Sequence, residues 1–285
     1  MKIIHLQKSD IDKQKWNSCV HFAINGNVYG YTWFLDAITK DWEPLIEEGY
    51  GTVWPLIWRK NWWGRREIYQ PTLITEGAIY SENLLSPARV RAFFRAVPST
   101  YKKLTVHLSS QANIPGDLGL QIEKLNRQQL ALNQPYEGLF DQFSDEFKRQ
   151  LDRAEENRLQ PASNLKPEKV VDFYRQYSAA YKEVDYHAYL RIMYNALHRG
   201  WGFANGIEDG RGELLAVCFF IYSHGKIMLL LPVVSPTGRN KGAIELLLSM
   251  IMHTHASKPV RLDFNGFGDY GTGSAALPYF RVTRP

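Results

Sequence analysis

The stretch LLLPVVSPTGRNKGAIELLL, residues 229–248, passes from one apolar run to another through a bend that holds Pro236, Gly238, Arg239, Lys241 and Gly242. Backwards from the bend, GELLAVCFFIYSHGKIMLLLPVV reads as two apolar strands around a turn at His224-Gly225, because short apolar runs bounded by turn residues pack as buried strands. Forwards, Ala243 to about Ala256 reads as a helix that is apolar on most sides, with Glu245, Ser249 and His253 as one narrow polar strip at four-residue spacing. Such a helix must be covered on several faces. Beyond it VRLDFNG alternates, with Val260, Leu262 and Phe264 on one face and Arg261, Asp263 and Asn265 on the other, so a further strand precedes a glycine-rich tail.

The bend therefore lies where a strand hands over to a helix start. A helix start presents unpaired backbone N–H groups and the positive end of the macrodipole, and glycines let a ligand come close to the backbone. Gly238 and Gly242 beside Arg239 and Lys241 suit a phosphate or pyrophosphate. The same residues suit a plain surface bend in which Gly238 makes the turn, Gly242 eases helix packing and the two cations are solvated. The residues alone leave both readings open. They do exclude two others at this place, since no Gly-Lys-Ser/Thr of a Walker loop and no G-x-G-x-x-G of a dinucleotide fold is present.

Residues 50–110 carry the same order of elements. GTVWPLIW and EIYQPTLITEGAIYS read as strands around the turn RKNWWGRR, which carries Asn61 and Gly64, and Pro55 and Pro71 suit edge positions or bulges. Ser86-Pro87 opens a helix with Val90, Phe93, Phe94 and Val97 at helical spacing, and KKLTVHLS follows as an alternating strand. Both halves thus read strand, strand, helix, strand, a repeat of pattern without visible identity. Between them, FDQFSDEFKRQLDRAEENRLQ sets Phe140, Phe143, Phe147, Leu151 and Ala154 on one stripe, capped by Ser144 and closed by Pro161. Two more helices are expected, from about Pro167 to Tyr181 and from about Tyr186 to Arg199, the second stopped by Gly200. The expectation is a mixed α/β chain of two domains, residues 1–138 and 139–285.

The composition narrows the function classes. With 45% hydrophobic and 22% charged residues the 285-residue chain is ordinary globular material, and no apolar run approaches the roughly 18 residues that cross a bilayer, so an integral membrane protein is not expected. The net charge of +5 favours anionic partners. Cys19 and Cys218 stand alone, without a second Cys or a His at metal-ligand spacing, which fits free thiols in a reducing cytoplasm. His253 and His255 point to different faces of their helix, so no metal site is expected. The basic, aromatic turn RKNWWGRR could stack on bases or dip into a membrane surface; its plainer reading is a hairpin whose tryptophans pack on the first domain's core while Arg65 and Arg66 stay solvated.

The run from Gly212 to Asn265 resembles the acyl-coenzyme A binding core of the GNAT superfamily of N-acyltransferases. That superfamily's pattern, Arg/Gln-x-x-Gly-x-Gly/Ala, is matched in order by Arg239, Asn240, Lys241, Gly242 and Ala243, while Ile244 stands where Gly or Ala is expected. The wider chain resembles the tandem-GNAT group of bacterial proteins that includes the Fem peptidoglycan aminoacyltransferases, through YGYTWFLDAITKDWEPL, through FSDEFKRQLDRAEE with its Ser-x-x-x-x-Arg-x-x-x-x-Ala spacing, and through the closing LDFNGFGDYGTG. The resemblance implies two tandem GNAT-like domains, of which only the second has a donor loop; in the first, only Asn83 and Ser86 offer polar turn chemistry.

It also implies a chemistry. An amine attacks an acyl carbonyl directly, with acyl-coenzyme A as donor or, as in the Fem group, aminoacyl-tRNA, and with a small-molecule or peptidoglycan-precursor amine as acceptor. The implied donor site is Gly238, Arg239, Asn240, Lys241, Gly242 and Ala243 for the pyrophosphate, with backbone N–H groups near Val233 and Val234 polarising the carbonyl. Asp263 is the candidate for proton removal, set against a structural Asp–Arg pair, and Tyr270 the candidate proton donor to the leaving group, set against an ordinary packed tyrosine. Acyl-coenzyme A is the preferred donor because the loop keeps most of the pattern. A binding protein that keeps the fold without catalysis remains the rival class.

Overall fold

The computed structural model describes residues 1–77, 79–178 and 185–284, and the chain divides into two units, Met1–Asn126 with Pro278–Pro285, and Arg127–Leu277. The first unit begins with β1 (Ile3–His5), α1 (Lys13–Phe22), α2 (Thr32–Ile38), β2 (Trp42–Glu47), β3 (Thr52–Lys60), β4 (Arg66–Ile68), β5 (Tyr80–Ser81), α3 (Pro87–Ala96), β6 (Lys103–Ser109) and the start of β7 (Gln121–Ala131). The second continues with α4 (Tyr136–Asp141), α5 (Asp145–Glu156), β8 (Gln160–Ser163), α6 (Pro167–Tyr177), α7 (Tyr186–His198), β9 (Gly202–Glu208), β10 (Leu214–Ser223) and β11 (Lys226–Val234). It is completed by α8 (Pro236–Asn240), α9 (Ala243–His255), β12 (Arg261–Asp263) and the start of β13 (Ala275–Arg284).

In the first unit β1, β2, β3 and β4 pair antiparallel in that order, β4 runs parallel to β6, and β6 pairs antiparallel with residues 279–284 of β13. Alternation sends Leu104, Val106 and Leu108 of β6 to one face, where they pack with Val90, Phe93 and Phe94 of α3. The helix starts where the sequence says it should, with Ser86 Oγ accepting from the Arg89 N–H and Pro87 in the first turn. The tip between β3 and β4 is held by Asn61 Oδ1, which accepts from the Trp63 and Arg65 N–H groups. Trp62 and Trp63 do not join the core: they are 84% and 67% exposed and lie against each other, with ring centroids 3.8 Å apart. Lower in the hairpin, Trp54 is buried with its ring 5.0 Å from that of Phe94, and the guanidinium of Arg66 lies 4.3 Å from the Trp58 ring.

The second unit repeats the motif. β9, β10 and β11 pair antiparallel, α9 crosses over, and β12 runs parallel to β11 before pairing antiparallel with residues 129–131 of β7. Ile227, Leu229 and Leu262 of the sheet and Leu247, Leu248 and Ile251 of α9 share one core with Phe147 of α5. Ser144 caps α5 through the Phe147 N–H, as its sequence implies. α5 ends at Glu156, ahead of Pro161, which lies in β8. The helix expected to reach Tyr181 is α6, which closes at Tyr177; residues 179–184 lie outside the described residues.

The two units meet between residues 126 and 127, and the glycine-rich tail is followed by a strand, β13, that pairs with β6.

Candidate functional site

The bend at 235–242 is largely helical. Ser235 caps α8 with its Oγ accepting from the Gly238 N–H, the Arg239 N–H donates to the Ser235 carbonyl, and the Lys241 N–H donates to the Gly238 carbonyl. Three amides of the expected cradle are thus spent within it. Its glycines are explained by the chain's own backbone. A Cβ on Gly238 would lie 2.3 Å from the Leu215 carbonyl oxygen, and one on Gly242, at φ +74°, would lie 1.9 Å from the Gln150 carbonyl oxygen of α5. Ala243 and Ile244 are buried in the core, so position 244 takes a large side chain because it faces hydrocarbon. Arg239 and Asn240 are exposed and Lys241 is half-buried.

The strand that leads into this bend is irregular. β11 pairs with β12 over Lys226, Ile227 and Met228 only, and past that point the Asn265 Nδ2 donates to the Leu229 carbonyl at 3.0 Å while β12 ends. On the other side the ladder with β10 jumps from Phe219↔Leu230 to Val217↔Val233, and Leu231 inside this bulge has φ +53° although it is buried. A left-handed leucine costs about 1–2 kcal/mol, and such strain tends to collect at functional sites. The Ser235 N–H donates to the Leu215 carbonyl at 2.9 Å, so by antiparallel alternation Val233 also faces β10 while the N–H and carbonyl of Val234 face away, along the edge that β12 has left. Pro232 contributes no N–H there. The sequence expectation named Val233 and Val234 together. The ladder separates them, and Val234 holds the outward donor.

Tyr270 comes to the same end of the strand pair. Its ring packs near Phe264, with centroids 6.2 Å apart, and its segment is tied to the start of α5 by the Ser144 N–H donating to the Gly271 carbonyl at 2.8 Å. Burial, then the Cys218 and Glu245 charges, push its hydroxyl pKa well above the usual phenol range, and Arg239 opposes them. Glu245, Arg239 and Cys218 therefore lie within electrostatic reach of Tyr270. Glu245, in the first turn of α9, is half-buried, and its Oε2 has no hydrogen-bond partner among the described residues. Its carboxyl is pushed up from 4.5, first by burial and further by Glu146, with its own backbone N–H and Arg239 pulling down. Sequence reading placed Glu245 in a polar strip and gave it no role. The signal was there in a carboxylate on an otherwise apolar helix. Further along the strip, Ser249 is buried with its Oγ bonded to the Tyr136 hydroxyl at 2.5 Å, and His253, whose ring lies 4.9 Å from that of Tyr136, is exposed.

Asp263 is placed elsewhere, beside Met228 at the paired end of β11. It is buried, it accepts from Gln129 Nε2 at 2.6 Å and from the Asn265 N–H at 2.9 Å, and Arg127 Nη1 lies 3.7 Å away. A carboxylate so occupied ties β7, β12 and the Asn265 turn together. Cys218 is buried with its thiol pKa raised by burial, and Cys19 is likewise buried and free. Among the described residues no three His, Cys, Asp or Glu side chains meet in a metal-binding group, and no helix is long and apolar enough to cross a membrane.

No protein-family model and no curated protein sequence matches the chain. Solved structures do. FemX superposes with a TM-score of 0.72 at 10% identity, covering 99% of this chain and 97% of that one. L-PGS from Bacillus licheniformis gives 0.61 at 13% identity, over 96% and 92%. A tandem GNAT protein from the clavulanic acid biosynthesis pathway gives 0.52 at 12% identity, over 99% and 97%. At these identities the likeness is one of fold, and the chain has the mixed α/β, tandem GNAT-like fold shared by FemX, L-PGS and this tandem GNAT protein.

Proposed function

We propose that the chain is an N-acyltransferase whose second unit seats the donor's acyl carbonyl on the open edge of β11 and transfers the acyl group to an amine. The observation that carries this reading is the outward N–H of Val234 at a bulged strand end from which β12 has departed. The amine nitrogen attacks the carbonyl carbon, and the oxygen that gains charge accepts from this fixed donor. The bond to the leaving group then breaks. Tyr270, whose hydroxyl keeps its proton, gives it to the departing oxygen or sulfur, and Glu245, with its raised carboxyl pKa, takes the proton released by the amine.

The geometry of residues 235–242 favours aminoacyl-tRNA over acyl-coenzyme A as that donor. A pyrophosphate approaching Gly242 would meet the Gln150 carbonyl oxygen, with Glu146 and Glu245 close by, and like charge near the helix start opposes an anion. An ester on the 3′ end of tRNA needs no pyrophosphate cradle, and the net charge of +5 suits a polyanion. A cytoplasmic place of action and a peptidoglycan-precursor amine as acceptor complete this reading.

The test offers the purified chain labelled aminoacyl-tRNA and, separately, labelled acetyl-coenzyme A, each with a pool of amine acceptors. Label should move to an acceptor from the tRNA, and Tyr270→Phe should slow it about 100-fold. Micromolar binding and consumption of acetyl-coenzyme A without use of aminoacyl-tRNA would replace this donor with the coenzyme. Turnover of neither would leave the binding-protein reading in place.

A further inference from the structure

The first unit repeats the strand, strand, helix, strand motif of the second, and its parallel pair also opens. β4 pairs with β6 over Glu67↔Lys103 and Ile68↔Leu104, and parallel pairing resumes at the bridge Gly77↔Leu108. Residues 69–76 leave the strand edge between these points. Gln70 Oε1 reaches back to accept from the His107 N–H at 2.9 Å, and the Thr75 carbonyl lies 3.0 Å from His107 Nδ1. The opening is a pocket of about 460 Å³, within the usual range for small-molecule sites.

Its lining has two kinds of chemistry. Lys103, Thr105 and His107 share the face of β6 turned away from α3, and Arg281 of β13 stands directly across from His107. Among the described residues, Arg59, Lys103 and Arg281 outnumber the single lining carboxylate, Glu67, which Arg59 already holds at 2.8 Å. Arg281 bonds Glu123 at 2.8 Å with one nitrogen, and Lys103 has no carboxylate partner among the described residues. The second kind is His107 itself. A carbonyl can only accept, so Nδ1 carries the proton that meets Thr75, and Nε2 of the neutral ring is an acceptor. Burial, with Arg281 adding to it, lowers the imidazole pKa and keeps this form. Tyr279 lies 5.1 Å from the imidazole, ring to ring, and offers a surface for a polyol or a sugar.

We propose that this pocket is a ligand site of the first unit and takes a phosphate ester of a hydroxylated compound. The phosphate sits among Lys103, Arg281 and Arg59, and a hydroxyl of the ligand donates to His107 Nε2. The site stands whether or not the second unit transfers an acyl group. A free sugar phosphate and the sugar-phosphate part of a nucleotide share this chemistry.

Titration calorimetry of the full chain at low salt with ribose 5-phosphate, uridine 5′-monophosphate, inorganic phosphate and ribose tests it. At least one of the two esters should bind about tenfold more tightly than inorganic phosphate and than ribose. If the nucleotide alone does so, the source is a nucleotide; if ribose 5-phosphate matches it, a free sugar phosphate suffices. Lys103→Ala and His107→Asn should each weaken that binding about tenfold, the asparagine keeping a donor for the Thr75 carbonyl while removing the Nε2 acceptor. Unchanged melting temperatures in these two variants separate lost binding from lost fold. Failure of both esters to bind, equal binding of inorganic phosphate, or ester binding indifferent to both substitutions overturns the proposal.

Discussion

Gly242 and Gly64 have the same backbone angle, φ +74°, and different surroundings. A Cβ on Gly64 meets nothing within 4 Å, whereas on Gly242 it would lie 1.9 Å from a helix carbonyl. Gly64→Ala should therefore cost only the left-handed strain, about 1 kcal/mol. Gly242→Ala should cost that and a further 1–3 kcal/mol, roughly, for the forced shift of α5 against α9. Urea unfolding of both variants measures the difference, and equal losses would remove the close approach from the account. That this position needs glycine was legible in SPTGRNKGA; what comes close to it was not. A sequence cannot distinguish a ligand's oxygen from the chain's own carbonyl, because the glycine answers to either. The same limit applies to Asp263, whose occupants Arg127 and Gln129 arrive from a strand more than a hundred residues away.

Helix α9 shows how far an element can be read from its pattern. Its apolar faces and its polar strip are where the spacing puts them, but burial along the strip is uneven: Ser249 is buried against Tyr136 of α4, His253 is exposed, and Glu245 is half-buried. This has a consequence for stability against pH. Its folded carboxyl pKa lies above the ordinary 4.5, so the folded state binds the proton more tightly than the unfolded chain does. The stabilising share of Glu245 is present below about pH 4.5 and is lost as pH rises through the raised folded value. Glu245→Gln removes that loss. Compared with the native chain, the variant should gain in urea midpoint as pH goes from 4 to 8, and a constant difference across this span would show that the carboxyl titrates as an exposed one. Strand β13 marks the opposite limit. Pro278 and the glycines before it read as tail, and the partner that makes ALPYFRVTR a strand is β6, far back in the chain, whose register no local pattern announces.

The repeat of pattern in the two halves was legible, and the pairing by which each half sends its last strand into the other's sheet was not, because no local pattern announces it. Residues 129–131 of β7 pair with β12 of the second unit, and residues 279–284 of β13 pair with β6 of the first. One unit is therefore a continuous stretch of chain and the other is not. Residues 127–277 hold β7's end, β12, β11, β10, β9 and β8 with their covering helices, so this fragment should fold alone with a cooperative urea transition. Residues 1–126 lack the strand that covers β6 and that places Val282 in the first core, so they should show no such transition, with the edge of β6 open to aggregation. Adding a peptide of residues 275–284 should restore it, since the register from Tyr279↔Ser109 to Arg284↔Leu104 supplies both the ladder and the buried valine. Circular dichroism of the three samples decides the matter. A cooperative 1–126 fragment without the peptide would mean that β13 decorates the first unit's sheet and does not complete it, and the ligand pocket that includes Tyr279 and Arg281 would then have to form on a sheet already stable without them.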